Sequence, residues 1–229
     1  MARYTKEIRQ FITTKIILTQ REWGALTDNM LHILNKNLRQ HNLNSLLDVG
    51  CGDGSKTLSI ANCLKIAPHR VFGMDIDDES LAKSRSLLKT TKIDLETDIF
   101  PFEDNHFDLV TCHQVLEHLK NYRFVMDEAI RVTRTDGFIL FGVPNLAHLM
   151  NRLLLLIGRQ PMCIELDGSH VRGFTHHSFL KLLESIKNIR LIDRTGVIMY
   201  PLPYHLAQPL AKTFTGLSGY VCYLVKKIG

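Results

Sequence analysis

The chain has 229 residues, enough for one large α/β domain with a buried core; hydrophobic residues make up 45% and charged residues 22%, an ordinary globular balance. A formal charge of +5 permits an anionic substrate, RNA or a lipid surface without demanding one. No apolar run approaches the about 18 residues of a membrane span, no signal-peptide pattern opens the chain, and Cys51, Cys63, Cys112, Cys163 and Cys222 form no C-x-x-C pair, so neither a disulfide framework nor a zinc site is indicated and a cytoplasmic location is expected.

Residues 1–42 read as an N-terminal helical cover. Glu7 to Leu18 and Asp28 to Leu38 carry apolar residues at helical spacing, such as Met30, Leu31, Ile33, Leu34 and Leu38. Such a cover either closes over a ligand or packs against the sheet edge. Ser45 to Ser55, S-L-L-D-V-G-C-G-D-G-S, reads as a buried strand, a tight turn and a helix start. Gly50 and Gly52 let backbone approach a ligand closely. The dinucleotide fingerprint wants glycines at 50, 52 and 55, but position 55 is Ser and the third glycine is Gly54. Asp48 and Asp53 would repel a pyrophosphate at a helix N-terminus that otherwise attracts anions. The same acids suit a ligand bearing an ammonium and a sulfonium.

Lys56 to Ile66 predicts a helix with Leu58, Ala61 and Leu64 inward and Pro68 as its stop. Arg70 to Asp75 is a second strand, and its terminal Asp75 can take both ribose hydroxyls of a nucleoside; the alternative is a solvated acid that caps the next helix with Asp77 and Asp78. Glu79 to Lys89 predicts a helix with Leu81, Leu87 and Leu88 inward, followed by a third strand over Ile93 to Thr97 and then Asp98 and Ile99. Phe107 to Cys112 is the fourth strand, leading into C-H-Q-V-L-E-H-L. Tyr122 to Thr133 is a helix with Phe124, Val125, Ala129 and Val132 inward. Asp136-Gly137 is a turn, and Phe138 to Val143 is a continuous apolar strand covered on both faces.

Two strings, L-L-D-V-G-C-G-D-G and C-H-Q-V-L-E-H-L, resemble the class I S-adenosylmethionine-dependent methyltransferases, the second in the "VLEHL" form of small-molecule and quinone-type members. The resemblance covers Leu43 to Val143 well. It implies an α/β, Rossmann-like seven-stranded sheet of order 3-2-1-4-5-7-6, with strand 7 antiparallel and helices on both faces. It implies S-adenosyl-L-methionine as cofactor and S-adenosyl-L-homocysteine as product. Cofactor contacts are expected at Asp48, Gly50, Cys51 and Gly52 in the turn, at Asp75 and Ile76 after strand two, at Asp98 and Ile99, and at His113. The string after strand four is not N-P-P-Y or D-P-P-Y, which argues against base or amide N-methylation and against DNA as substrate.

His118 is either a general base for a hydroxyl or a structural histidine on the helix after strand four. From Asn145 onward the chain leaves the shared core, and 145–175 reads as a substrate-side insertion in a single domain, 1–229. Leu146 to Ile157 is a strongly apolar helix closed by Gly158, a pocket wall buried in the core, a homodimer contact or a peripheral membrane contact. The following loop carries Glu165, Asp167, His170 and Arg172. His170 or Arg172 is expected to face the substrate, Arg172 as a bidentate clamp for a carboxylate or phosphate. Thr175 reads as the N-cap of a helix over Ser178 to Ile186. Strands over Asn188 to Met199 and Leu217 to Val225 complete the sheet, and Lys226-Lys227 reads as a solvated end.

In-line methyl transfer needs alignment and, for a hydroxyl, removal of its proton. No metal is required, and no ligand cluster shows metal spacing. The expected activity is O-methylation of a small, glycan-like or lipid-like acceptor. The alternatives are an RNA methyltransferase, disfavoured by the lack of a K-D-K-E tetrad or dense basic stripe, and a cofactor-binding but inactive partner subunit.

Overall fold

The computed structural model describes residues 20–164 and 168–229. The expected helix over Glu7 to Leu18 and the acids Glu165 and Asp167 lie outside the described residues. Seven strands form one sheet: β1 (Leu46–Val49), β2 (Val71–Asp75), β3 (Lys89–Lys92), β4 (Phe107–His113), β5 (Thr133–Pro144), β6 (Ile189–Val197) and β7 (Tyr220–Lys227). Their order is β3-β2-β1-β4-β5-β7-β6, parallel throughout except that β7 runs antiparallel to both neighbours. This is the expected Rossmann-like order.

Among the described residues seven helices accompany the sheet: α1 (Gln20–Leu38), α2 (Ser55–Leu64), α3 (Asp78–Ser84), α4 (Tyr122–Val132), α5 (Leu149–Leu156), α6 (His176–Ser185) and α7 (Tyr204–Thr213). Strand side chains alternate between two cores, as the pleat requires. Leu46, Leu109, Leu140 and Leu224 pack with Met30, Ile33 and Leu34 of α1, Ile60 of α2 and Leu81 of α3. Leu47, Val110, Phe141 and Tyr223 pack with Val125 and Ala129 of α4 and Phe179 and Leu183 of α6.

α1 lies along the β6–β7 edge. Ala25 and Leu26 pack with Val197 and Ile198, and near its other end Lys36 and Asn37 both reach Asp193 Oδ2 at 2.8 Å. The described part of the N-terminal stretch thus packs on the sheet face and against its edge strand β6.

Several boundaries differ from the sequence reading, each for a local reason. α2 ends because Lys65 turns left-handed (φ 58°) and caps Ala61 and Asn62, three residues before Pro68. Its inner face is Thr57, Ile60 and Ala61, with Leu58 and Leu64 only partly buried. α3 stops at Ser84, Leu87 is exposed, and β3 is the polar K-T-T-K run ahead of the expected strand. Ile93 and Leu95 are buried, but in the turn that follows. His118 sits in a 3-10 turn, Leu116–His118, not on a helix.

The apolar helix α5 is shorter than expected and is not a buried core element. Leu153, Leu155, Leu156 and Ile157 all face solvent, while Leu154 turns in. Lys226 and Lys227 are not a solvated end either. Lys226 pairs with Asp136 at 2.6 Å, and the buried Lys227 ammonium donates to Asn105 Oδ1 at 2.9 Å and to the Thr133 carbonyl oxygen at 2.8 Å. Each residue completes β7 by closing against the β4–β5 crossing.

Replacing Lys227 by alanine leaves those acceptors unpaired and should lower stability by about 1–3 kcal/mol. Urea unfolding checks this: the midpoint should fall with an unchanged m value.

Candidate active site

β1 hands the chain to a turn in which Gly50, Gly52 and Gly54 all have positive φ, at 73°, 53° and 78°, where L side chains are strained. The amides of Gly50 and Cys51 donate to the Met74 carbonyl oxygen at 2.8 and 3.0 Å, so β2 holds the turn from beneath. Asp75 completes the support. One carboxylate oxygen accepts the Gly52 amide at 2.8 Å, and the other accepts those of Ile76 and Asp77 at 2.8 and 3.0 Å.

A Cβ built on Gly52 would meet nothing within 4 Å, so the turn is open there. At Gly50 the same atom would strike Val115 Cγ2 at 2.3 Å, so that glycine serves close packing against the segment after β4. Beyond the carboxyl ends of β2 and β3, Ile76 and Ile99 are 57% and 68% exposed. Asp98, also exposed, closes its own turn by accepting from the Asp94 amide at 3.0 Å and the Thr97 hydroxyl at 2.9 Å. An open glycine face, a carboxylate beside it and two bare aliphatic side chains fit a nucleoside ligand.

Two of the expected contacts are relocated. Asp48 is buried under the turn, with its oxygens taken by the hydroxyls of Thr111 (2.6 Å) and Thr57. Burial raises its pKa, and those two hydroxyls oppose the shift. Asp48 braces β1 against β4 and α2 rather than facing a ligand. Cys51 turns its thiol toward Gly73 in the core, where burial pushes its pKa up to about 12. Only its backbone belongs to the turn.

At the end of β4, His113 is buried against Gly142, where an added Cβ would meet the ring at 2.2 Å. Both ring nitrogens lack a partner, and burial holds the pKa down at about 3, so the ring is neutral at working pH. Next come Gln114, whose φ is 60°, and the 3-10 turn.

The 145–175 segment folds back onto that turn. Its ends are joined by the buried Asn145, which donates to the carbonyl oxygens of Gly216 and Ser218 at 3.0 and 2.9 Å and accepts the amides of Ala147 and His176, both at 3.1 Å. A backbone bridge links Asn145 to Phe174. Farther along, the amides of Val171 and Arg172 donate to the Glu117 carbonyl oxygen at 3.0 and 3.1 Å. This return brings His170 to His118, with ring centroids 4.7 Å apart.

His118 Nδ1 lies 3.1 Å from the Ser169 carbonyl oxygen, and His170 Nδ1 lies 2.7 Å from that of Cys163. A carbonyl only accepts, so each Nδ1 carries a proton, which in the neutral ring leaves the lone pair on Nε2. Glu117 completes the group. It is 1% exposed, neither carboxylate oxygen has a partner, and burial raises its pKa to about 8. One ligating atom from each of Glu117, His118 and His170 lies within 4.8 Å of the others. Two imidazoles and a carboxylate at that spacing can move a proton or hold a divalent cation. The sequence showed no such cluster, because His170 is 52 positions from His118 and Glu117 drew no role. The signal was there as an acid inside the apolar string V-L-E-H-L.

Arg172 stands next to this group. Its guanidinium covers the Tyr122 ring at 4.7 Å and donates to the Lys120 carbonyl oxygen at 2.9 Å. Thr175 caps α6 through the Ser178 amide, as expected.

Residues 47–141 match the family model of the methyltransferase domain. The ubiquinone biosynthesis O-methyltransferase of Hydrogenovibrio crunogenus is 27% identical over 165 residues, 69% of this chain and 67% of that protein. A SAM-dependent methyltransferase from Thermotoga maritima superposes with a TM-score of 0.61 at 14% identity, over 99% of this chain and 97% of that one. The 4+2 cyclase SpnF superposes with a TM-score of 0.62 at 16% identity, over 88% of this chain and 82% of that one.

Glu117 makes the site's electrostatics measurable. Its carboxyl keeps a proton to about pH 8 when folded and releases it at the ordinary 4.5 when unfolded. Between those values folding takes up a proton, so stability is lost as pH rises, by about 1.4 kcal/mol per unit. Glu117→Gln removes that dependence. Its stability relative to the parent should climb from about pH 5 to pH 8 in urea unfolding series, and a pH-independent difference would contradict the buried neutral acid.

Proposed function

We propose that this chain is a class I S-adenosylmethionine-dependent methyltransferase that methylates a hydroxyl oxygen of a small, glycan-like or lipid-like acceptor, a reading supported by the methyltransferase-domain match and the shared fold. The observation that carries the reading is the Glu117–His118–His170 group at the carboxyl end of β4, where ligands of open α/β sheets bind. A hydroxyl acceptor has to lose a proton, and this group can take it. The relatives named as ubiquinone biosynthesis O-methyltransferases support oxygen as the methylated atom.

When bound, S-adenosylmethionine supplies an electrophilic methyl group and leaves as S-adenosylhomocysteine. Asp75 would accept the ribose hydroxyls while holding the Gly52 amide, and Gly52 would let the ligand lie on bare backbone. Ile76 and Ile99 would sandwich the adenine, with Asp98 taking its amino group and His113 beside the methionine portion. Gly50 shapes the turn.

On the acceptor side, His118 Nε2 takes the hydroxyl proton as the oxygen–carbon bond forms. As positive charge grows on the imidazole, the neighbouring carboxyl of Glu117, neutral at rest, can give up its proton and become the counter-charge, so the two groups titrate as a pair. His170 orients the acceptor hydroxyl, and Arg172 fixes the loop that carries it. We read the chain as one catalytic domain with 1–42 as a cover and 145–175 as the acceptor-side insertion. The five cysteines are all free, which favours a reducing compartment such as the cytoplasm. Among the described residues no helix is long and apolar enough to cross a membrane.

Replacing Asp75 by alanine should weaken S-adenosylmethionine binding about tenfold or more, since hydrogen bonds to a charged group contribute roughly 1.5–3 kcal/mol each. Isothermal titration measures it, and a parent chain that binds neither S-adenosylmethionine nor S-adenosylhomocysteine refutes the reading. His118→Ala should lower kcat by about 100-fold or more with KM for the cofactor unchanged. Full turnover in that variant removes His118 as the base. Mass spectrometry of metabolite and glycolipid extracts incubated with labelled cofactor identifies the acceptor.

A further inference from the structure

The strongest unassigned feature is a hollow of about 460 Å³ between the start of α4 and α6. Arg123, Arg172 and Lys181 line it, and among the described residues no carboxylate does. The guanidinium carbons of Arg172 and Arg123 lie 4.7 and 5.8 Å from the centroid of one ring, that of Tyr122. Two like charges over a single aromatic side chain repel each other unless an anion joins them. Among the described residues none of these three cations pairs with an acid, whereas Arg131, Arg134 and Lys226 each do. Arg172 Nε is buried and has no hydrogen-bond partner. The N-cap of α6, Thr175, opens onto the same hollow and adds the positive end of a ten-residue helix.

The backbone of Arg172, which lines the hollow, is also tied to the Glu117–His118–His170 group. The backbone amide of Arg172 donates to the Glu117 carbonyl oxygen, one link from His118 and two residues from His170. We propose that it binds an oxyanion, a phosphate or carboxylate group, carried on the same acceptor molecule as the methylated hydroxyl. This rests on the reading that the acceptor hydroxyl sits at His118. The apolar wall supplied by Tyr122 and Phe174 would bury the carbon framework between the two ends. The arginines would grip the oxyanion in the bidentate manner their planar forks allow.

The test uses the full chain saturated with S-adenosylhomocysteine and titrates phenyl phosphate, benzoate and benzyl alcohol at low salt. At least one anion should bind about tenfold more tightly than the alcohol, given the strength of charge-assisted hydrogen bonds. Preference for phenyl phosphate identifies a phosphate acceptor, and preference for benzoate a carboxylate. In the Arg123→Gln/Lys181→Met double variant that advantage should vanish while S-adenosylhomocysteine affinity stays at the parent value. Should the double variant lose the cofactor product as well, the single variants Arg123→Gln and Lys181→Met take its place, each reducing anion affinity. Anions that bind no better than benzyl alcohol, or parent-like anion affinity in the charge-removed variants, overturn the proposal. A parent chain that fails to bind S-adenosylhomocysteine overturns the cofactor reading instead, so the two failures are distinct.

Discussion

A carboxyl group sealed beneath the end of β4 with nothing to bond to is the constraint around which the 145–175 segment folds back. Leaving such a group unpaired costs about 1–3 kcal/mol. The cost persists because the same residue has a second duty. The Glu117 carbonyl oxygen takes the amides of Val171 and Arg172, so one peptide unit receives the returning insertion and aims the acid. Two histidines distant in sequence meet only because this junction exists. Loss of the junction would free the carboxyl to reach water and disperse the group. The unpaired acid and the fold-back contact are thus joined at a single residue, the pattern that makes buried, perturbed acids candidates for functional sites.

The cofactor half was largely legible in the residue order, because its signals are local. Gly50, Gly52 and Gly54 declare a left-handed turn wherever they stand, and a strand-end acid at Asp75 follows from the spacing of the next apolar run. The continuous run Phe138 to Val143 announces a strand buried on both faces. What sequence could not convey were contacts made across the fold. Asp48 and Cys51 sit in the motif, yet which way each side chain points depends on Thr57, Thr111 and Gly73, which lie on other elements. The Lys226-Lys227 tail looked solvated because its partners, Asn105, Thr133 and Asp136, come from the β4–β5 region. α5 misled for the opposite reason: its composition is that of a core helix, while its placement leaves most of that apolar surface in water.

The similarity to SpnF, a cyclase, shows how little the sheet itself decides. The strand order sets where ligands gather, at the carboxyl ends of β1, β2 and β4. Which reaction follows depends on the side chains set along that rim. Here the rim divides cleanly. Backbone, one acid and two isoleucines lie over β1 to β3, and imidazoles, a carboxyl and arginines lie over β4 and the segment after β5.

The bridge between Asn145 and Phe174 bears on how such a protein diversifies. Because the two ends of the segment pair with each other, its length and content can drift with little effect on loop-closure entropy. A duplicated gene could swap this stretch for another and keep a working donor site, acquiring a new clientele in one recombination. Lineages sharing the scaffold would then diverge fastest between the two clamped ends and slowest in the glycine turn.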